Sequence, residues 1–282
     1  MQWGVRQMKR WTIGLAALMV LVGVGQAKAA VEFITNGNFE GGFIGMGVSG
    51  PLDGLADSVP NGWTRVETFS GGVGENSAIT GLPGNGPSAP GLLGVNFQRL
   101  AGDNASGDWT AIQQPLNVNV GSMASLTLSL DVMVGQHNLV AGGWVAPAFE
   151  WPVVVQVNYL DVTNTPQTWR YGWFLNPPGD GPPGPINDPG QGLIPIYNDM
   201  VVNPNVWVAN SFNLLNQLPQ AQTITNVRVG SSGWHFLGNV DNVSVQGTVI
   251  PEPSTFLTWG GLVGLALIGG WWRRANGRSL GP

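Results

Sequence analysis

The chain has 282 residues, with 11 basic and 16 acidic side chains, 43 glycines, 21 prolines and no cysteine. Without cysteine there is no disulfide framework, no thiol catalysis and no thiolate metal site. Residues 30–250 contain no lysine, and their four arginines, Arg65, Arg99, Arg170 and Arg228, stand against fifteen acids. A surface this acidic repels nucleic acid, so no nucleic-acid partner is expected.

In chain order, Lys9 and Arg10 precede an apolar run over residues 11–24, and Ala27-Lys28-Ala29 follows. A basic start, an apolar core and a small-residue cleavage pattern predict a secretory signal peptide over 1–29. Met8 is a second candidate start beside Met1, and a retained N-terminal anchor is the other reading of this segment. The body is then 30–250, enough for one sizeable sandwich or barrel domain or two small ones.

Within the body, glycine and proline interrupt every long helical pattern, while period-two alternation survives. Leu126, Leu128, Leu130, Val132 and Val134 share one face, with Thr127, Ser129 and Asp131 on the other, the pattern of a half-buried strand. Val153, Val155, Val157 and Tyr159 align in the same way, opposite Gln156 and Asn158, and Trp169, Tyr171 and Trp173 form a third apolar face. Weaker strands are predicted over 31–35, 63–69, 92–97, 109–114, 206–212, 223–229 and 240–245. Segments 41–60, 71–91 and 176–192 read as loops, the last rich enough in proline and glycine to exclude a central strand. A domain split at 176–192 is the alternative to a single body. Many short strands without helical period predict an all-β fold, an antiparallel β-sandwich of jelly-roll type. The absence of a blade-length repeat disfavours a propeller.

The body opens with Thr35-Asn36-Gly37-Asn38-Phe39-Glu40 and closes with Asn239-Val240-Asp241-Asn242-Val243-Ser244-Val245. These two ends resemble the terminal strands of galactose-binding-like jelly-roll domains, which include many carbohydrate-binding modules. The resemblance implies adjacent terminal strands and a structural calcium held by a carboxylate from each. Glu40 and Asp241 are the residues it points to. Asp241 is in phase with Val243 and Val245, and a buried carboxylate requires a partner or a cation. An aspartate accepting from turn amides at a strand entrance is the competing reading.

Of the tryptophans in the body, Trp169 and Trp173 are expected inside the core. Trp144 and Trp151, flanking the loop-like stretch between them, are expected to offer exposed platforms for sugar rings. Histidine is limited to His137 and His235, outside any metal or catalytic motif, and no nucleophile elbow occurs. Glu67, Glu75, Asp108 and Glu150 are the acids available for glycoside hydrolysis, although spacing alone does not pair them.

The chain closes with Pro251-Glu252-Pro253, an apolar run over 256–272 and then Arg273, Arg274 and Arg278. Prolines block helix before the run, the run reaches the short end of a bilayer span, and the arginines suit a cytoplasmic end. This order resembles the PEP-CTERM sorting signal of Gram-negative bacteria. The resemblance implies recognition and processing by an exosortase, an inner-membrane-anchored precursor, and a final place at the cell surface or in a matrix associated with exopolysaccharide and biofilm. Together these features predict a non-enzymatic exported protein that binds or organises extracellular polysaccharide. A secreted polysaccharide hydrolase or lyase and a purely structural matrix protein are the alternatives.

Overall fold

The computed structural model describes residues 29–48, 55–68, 77–83, 93–99, 109–137, 151–175, 197–232, 236–250 and Ala266. The tail motif Pro251, Glu252, Pro253, Arg273 and Arg274 therefore lies outside the described residues, as does nearly all of the leader. Among the described residues no helix is long and apolar enough to cross a membrane.

Strands account for most of the described residues. In chain order they are β1 (Val31–Glu32), β2 (Phe43–Gly47), β3 (Asp57–Pro60), β4 (Thr64–Thr68), β5 (Ser77–Pro83), β6 (Leu93–Arg99) and β7 (Trp109–Asn119). Then follow β8 (Met123–His137), β9 (Trp151–Asp161), β10 (Pro166–Leu175), β11 (Tyr197–Val202), β12 (Val208–Asn213), β13 (Ala221–Ser232) and β14 (Phe236–Val249). The first sheet runs β12-β8-β14-β6-β5, with β1 added to β14, and the second runs β11-β10-β9-β13-β7-β4. Strands β2 and β3 form a separate hairpin. The expected all-β sandwich is present, with two departures. Strand β11 joins β10 in parallel rather than antiparallel, and segments 41–60 and 71–91, read as loops, contain β2, β3 and β5.

The two sheets meet through their apolar faces. Leu126, Leu128, Leu130, Val132 and Val134 of β8 are buried, as are Val153, Val155 and Val157 of β9 and Val227 and Val229 of β13, all in one core cluster. Fully burying a side chain of this size contributes about 1.5–3 kcal/mol. Trp169 and Trp173 lie in this core as expected. From β10 they reach across to Phe212 of β12, at ring-centroid distances of 5.3 and 6.2 Å. The Trp173 indole donates to Asn210 Oδ1 at 3.2 Å, which satisfies its N–H inside the interface.

The chain entrance is tied down by polar contacts. Gln114 of β7 accepts from Thr35 N–H at 2.7 Å and donates to the carbonyls of Thr35 and Gly62 at 2.9 Å. Phe33 N–H donates to Val245 O, which sets the first strand beside the last. The hairpin is fixed by Asp57, which accepts from Ile79 N–H at 2.8 Å and pairs with Arg65 at 2.7 Å.

Candidate functional site

The outer face of the second sheet carries planar polar side chains aligned across four strands. Each long strand alternates between its two faces, so Gln156 (itself buried) and Asn158 lie on the face opposite Val153, Val155 and Val157 of β9. The register sets Arg170 opposite Gln156, Gln156 opposite Arg228 and Arg228 opposite Gln113. One row across β10, β9, β13 and β7 therefore reads Arg-Gln-Arg-Gln. The next row reads Thr168, Asn158, Asn226 and Pro115. A third reads Gly172, Val154, Gly230 and Ala111, all of them buried, with the Trp151 ring lying over Gly172.

Hydrogen bonds lock this array. Arg170 Nε donates to Gln156 Oε1 at 2.7 Å, and Arg228 Nη2 donates to Gln113 Oε1 at 3.2 Å. Gln156 Nε2 donates to Asn158 Oδ1, Asn158 Nδ2 donates to Asn226 Oδ1, and the Thr168 hydroxyl also donates to Asn158 Oδ1, each at 2.8 Å. Both guanidinium groups approach the ring of Trp109, at 5.2 Å for Arg170 and 5.5 Å for Arg228. Such placement is the geometry of cation–π attraction. Burial lowers the pKa of Arg228, and the neighbouring Arg170 lowers it further.

Trp151 belongs to this face but not to its surface. It is 1% exposed and packs with Val154 and the half-buried Trp109. A Cβ on Gly172 would overlap its ring, so the glycine makes the seat for the indole. The expectation of an exposed platform at Trp151 is therefore corrected, and Trp109 is the aromatic ring nearest the surface of the array. Trp144 lies outside the described residues. Trp109, Arg170, Arg228, Gln113, Gln156, Asn158 and Asn226 were not singled out from sequence. Their signal was present in the polar phase of strands already recognised by their apolar phase.

The terminal strands build a second polar site on the first sheet. Asp241 of β14 stands directly across from Asp131 of β8. Two residues of β14, Asn242 and Val243, then oppose Leu130 alone, because the register shifts between Asp241 and Ser244. This is a β-bulge, and Asn242 adopts a φ of 52° within it. The bulge reverses the phase, so Asp241 does not share the face of Val243 and Val245 as alternation implied. It is nevertheless 1% exposed. The amide of Val243 donates to Gly37 O at 2.8 Å, bringing the N-terminal loop over the bulge.

Burial pushes the Asp241 carboxyl up to about 7. The Asn242 amide opposes the shift, and the carboxylates of Asp131 and Glu40 add to it. Glu40 and Asp241, both expected at the chain's two ends, are thus brought within electrostatic reach. Asn242 N–H donates to Asp241 Oδ1 at 2.7 Å, Asn242 Nδ2 to Asp131 Oδ2 at 2.8 Å, and Leu93 N–H to Glu40 Oε1 at 2.6 Å. An oxygen-rich, like-charged group fits a hard cation in its chemistry. Among the described residues, however, no three acidic or histidine side chains gather closely enough to form a metal cluster. A cation here would depend on backbone carbonyls beside Glu40 and Asp241. Next to this group lies a shallow depression of about 470 Å³ lined by Glu32, Asn36, Ser129, Asn242, Ser244 and Gln246, among others.

Of the acids considered for catalysis, Glu67 accepts from the Ser77 hydroxyl at 3.1 Å and lies 3.8 Å from Arg65. Glu75, Asp108 and Glu150 lie outside the described residues, as do His235 and the side chain of His137.

No protein-family model matches the sequence, and no curated protein matches it. Among solved structures, the chain is similar to the family 11 carbohydrate-binding module of a cellulosomal cellulase from Clostridium thermocellum. That match has 9% identity and a TM-score of 0.34, and it covers 75% of this chain and 98% of the module. It is also similar to the xyloglucanase domain of NopAA from Sinorhizobium fredii, at 11% identity and a TM-score of 0.41, covering 67% of this chain and 95% of that one. A third match is the enzymatically active domain of tailspike protein 4 from bacteriophage CBA120. There the identity is 11% and the TM-score 0.37, over 78% of this chain and only 22% of the tailspike. With TM-scores below 0.5, the functional reading rests on the residues alone.

Proposed function

We propose that this protein binds extracellular polysaccharide through the outer face of its second sheet. The observation that carries the reading is the array of Gln113, Gln156, Asn158, Asn226, Arg170 and Arg228 around Trp109. A sugar hydroxyl both donates and accepts. Amides supply both functions, guanidiniums supply donors in a fixed fork, and an aromatic ring supplies an apolar surface. Cross-strand hydrogen bonds hold the array before any ligand arrives, which limits the ordering cost of binding.

The sandwich is of jelly-roll type in this reading, and the protein acts without catalysing a reaction. It is exported through the signal peptide at 1–29 and held by the membrane helix at 256–272. An exosortase processes it at the PEP-CTERM-like tail, which carries Pro251, Glu252, Pro253, Arg273 and Arg274, leaving it at the cell surface or in the extracellular matrix. A structural calcium at Glu40 and Asp241 relieves the like-charge repulsion there and fastens the N-terminal loop to β14.

Incubating the full-length chain with the host's extracellular polysaccharide tests the central part of this reading. Retention without new reducing ends is expected, with retention lost in Trp109→Ala. New reducing ends would replace the binding reading with hydrolysis or lysis, and failure to bind would leave a structural matrix role.

A further inference from the structure

The chain enters and leaves the sandwich at the same end. Val31 of β1 is in register with Gly247 of β14, and Ile250 N–H donates to Ser122 O at 2.7 Å, just before β8 begins. The second sheet turns at this end too. Thr223 of β13 lies across from Asn119, the last residue of β7, and Ala221 lies across from Asp161, the last residue of β9. The β9–β10 turn is tied to the same rim by Val162 N–H, which donates to Gln220 O at 3.0 Å.

Val31, Val162 and Ile250 all stand exposed on this rim, Val162 at 67%. One exposed valine is ordinary on any surface, but several large aliphatic side chains at one end mark a contact surface. The charges of the body lie elsewhere or are already engaged. Arg65, Arg99, Arg170 and Arg228 stand opposite Ile112, Phe236, Gln156 and Gln113, well along the strands from this end. Asp161 accepts from Thr163, Thr165 and Gln167, and Glu32 accepts from the amides of Ile34 and Val245 and the hydroxyl of Ser244. Chain length names the occupant. Only residues 251–255 separate Ile250 from the apolar run that starts at Phe256. Fully extended, that connection spans about 20 Å, of which the headgroup layer takes roughly 5–8 Å. With the run in the membrane, this end of the sandwich is held at high effective concentration beside the lipid.

We infer that in the anchored precursor the sandwich docks by this end on the lipid surface, with Val31, Val162 and Ile250 dipping into the headgroup region. The inference rests on the membrane helix proposed above and goes beyond it, since a tether alone requires no contact by the body. Docking sets the strands upright on the membrane. Gln156 is five residues along β9 from Asp161, so the Arg-Gln-Arg-Gln row lies roughly 17 Å above the lipid and runs along it.

Because the chain has no cysteine, a single label can be placed cleanly. Full-length Val162→Cys, carrying an environment-sensitive fluorophore, is reconstituted in phosphatidylcholine vesicles. Val206→Cys is the control, since Val206 is exposed and its neighbour Asn205 bonds to Val134 near the other end of β8. The expected result is a blue shift at 162 and quenching there by lipid bearing a nitroxide at the headgroup, with neither at 206. Vesicle flotation separates the two readings. Protein that floats without lipid quenching at 162 would overturn docking and leave the anchor intact, whereas protein that does not float would overturn both. A blue shift at 162 without lipid quenching would assign this end to a second copy or another protein, and equal quenching at 162 and 206 would remove the end-on arrangement. Either outcome overturns the inference.

Discussion

The buried carboxyl of Asp241 makes stability depend on pH in a direction opposite to that of an ordinary salt-bridged aspartate. In the folded chain its pKa is raised from 3.8 to about 7, first by burial and then by Asp131 and Glu40. Between about pH 4 and pH 7 the folded state keeps this proton while the unfolded state releases it, so stability falls as pH rises through that window. Above the folded value both states are ionised and the loss is complete. A shift of this size corresponds to about 4 kcal/mol as an upper figure, and relaxation with water entry brings it to roughly 2–4 kcal/mol. Asp241→Asn keeps an acceptor for the Asn242 amide and removes the titration. Denaturant unfolding of both proteins in EDTA at pH 4.5 and pH 7.5 isolates the effect. The wild type should lose roughly that amount relative to the variant on going to pH 7.5, and the variant should be the more stable at the higher pH. Adding calcium should reverse the wild-type trend, since a bound cation requires the ionised carboxylate, and should leave Asp241→Asn unaffected. Parallel pH profiles for wild type and variant in EDTA would refute the assigned burial of the charge, and no response to calcium would remove the metal.

Other outcomes follow from the same fold. A Cβ on Gly37 would overlap the carbonyl oxygen of Val243, so Gly37→Ala should force the N-terminal loop off the bulge and cost more than about 2 kcal/mol in unfolding experiments. Asp161 accepts from the Thr163 hydroxyl at 2.6 Å, the Thr163 and Thr165 amides at 2.8 and 3.0 Å, and Gln167 at 3.1 Å. These bonds, led by the Thr163 hydroxyl, hold its carboxyl down to about 2. Its contribution is present above the ordinary carboxylate range and lost as pH falls toward that value. Asp161→Ala should therefore lower Tm at neutral pH and weaken the acid-induced loss of stability, measured by thermal melts from pH 5 to pH 2. Leu128, fully buried in β8, should cost about 2–5 kcal/mol on truncation to alanine, read from the denaturant midpoint.

Much of the sandwich was legible because its long strands obey alternation. The faces of β8, β9 and β10 are those that Leu126–Val134, Val153–Tyr159 and Trp169–Trp173 announce. Strands β2, β3 and β5 were not legible. β2 is FIGMG, with two glycines and four exposed positions, so neither burial period nor β-propensity marks it. At Asn242 the bulge inserts a residue, and a period-two count carried through it assigns Asp241 to the wrong face while correctly finding it buried. The resemblance of the two chain ends pointed to Glu40 and Asp241, whereas Asp131 enters the group only through cross-strand register. The polar array was hidden for the same reason. Gln113, Gln156, Arg170 and Arg228 are distant in sequence and each resembles an ordinary solvated residue. Only the strand order β10-β9-β13-β7 makes them one row. Trp151 misled because a loop-like neighbourhood suggested exposure, while Gly172 provides a flat seat that buries the ring.

The central claim is that polysaccharide occupies the outer face of the second sheet. Hydroxyl-radical labelling of Trp109 in the full-length chain, with and without the polysaccharide that binds it, measures that occupancy directly. Protection of Trp109 on binding, with no change around Asn36 and Gln246 in the depression on the first sheet, is the predicted result. Unchanged labelling of Trp109 together with protection at Asn36 and Gln246 would contradict the account and move the binding site to the terminal strands.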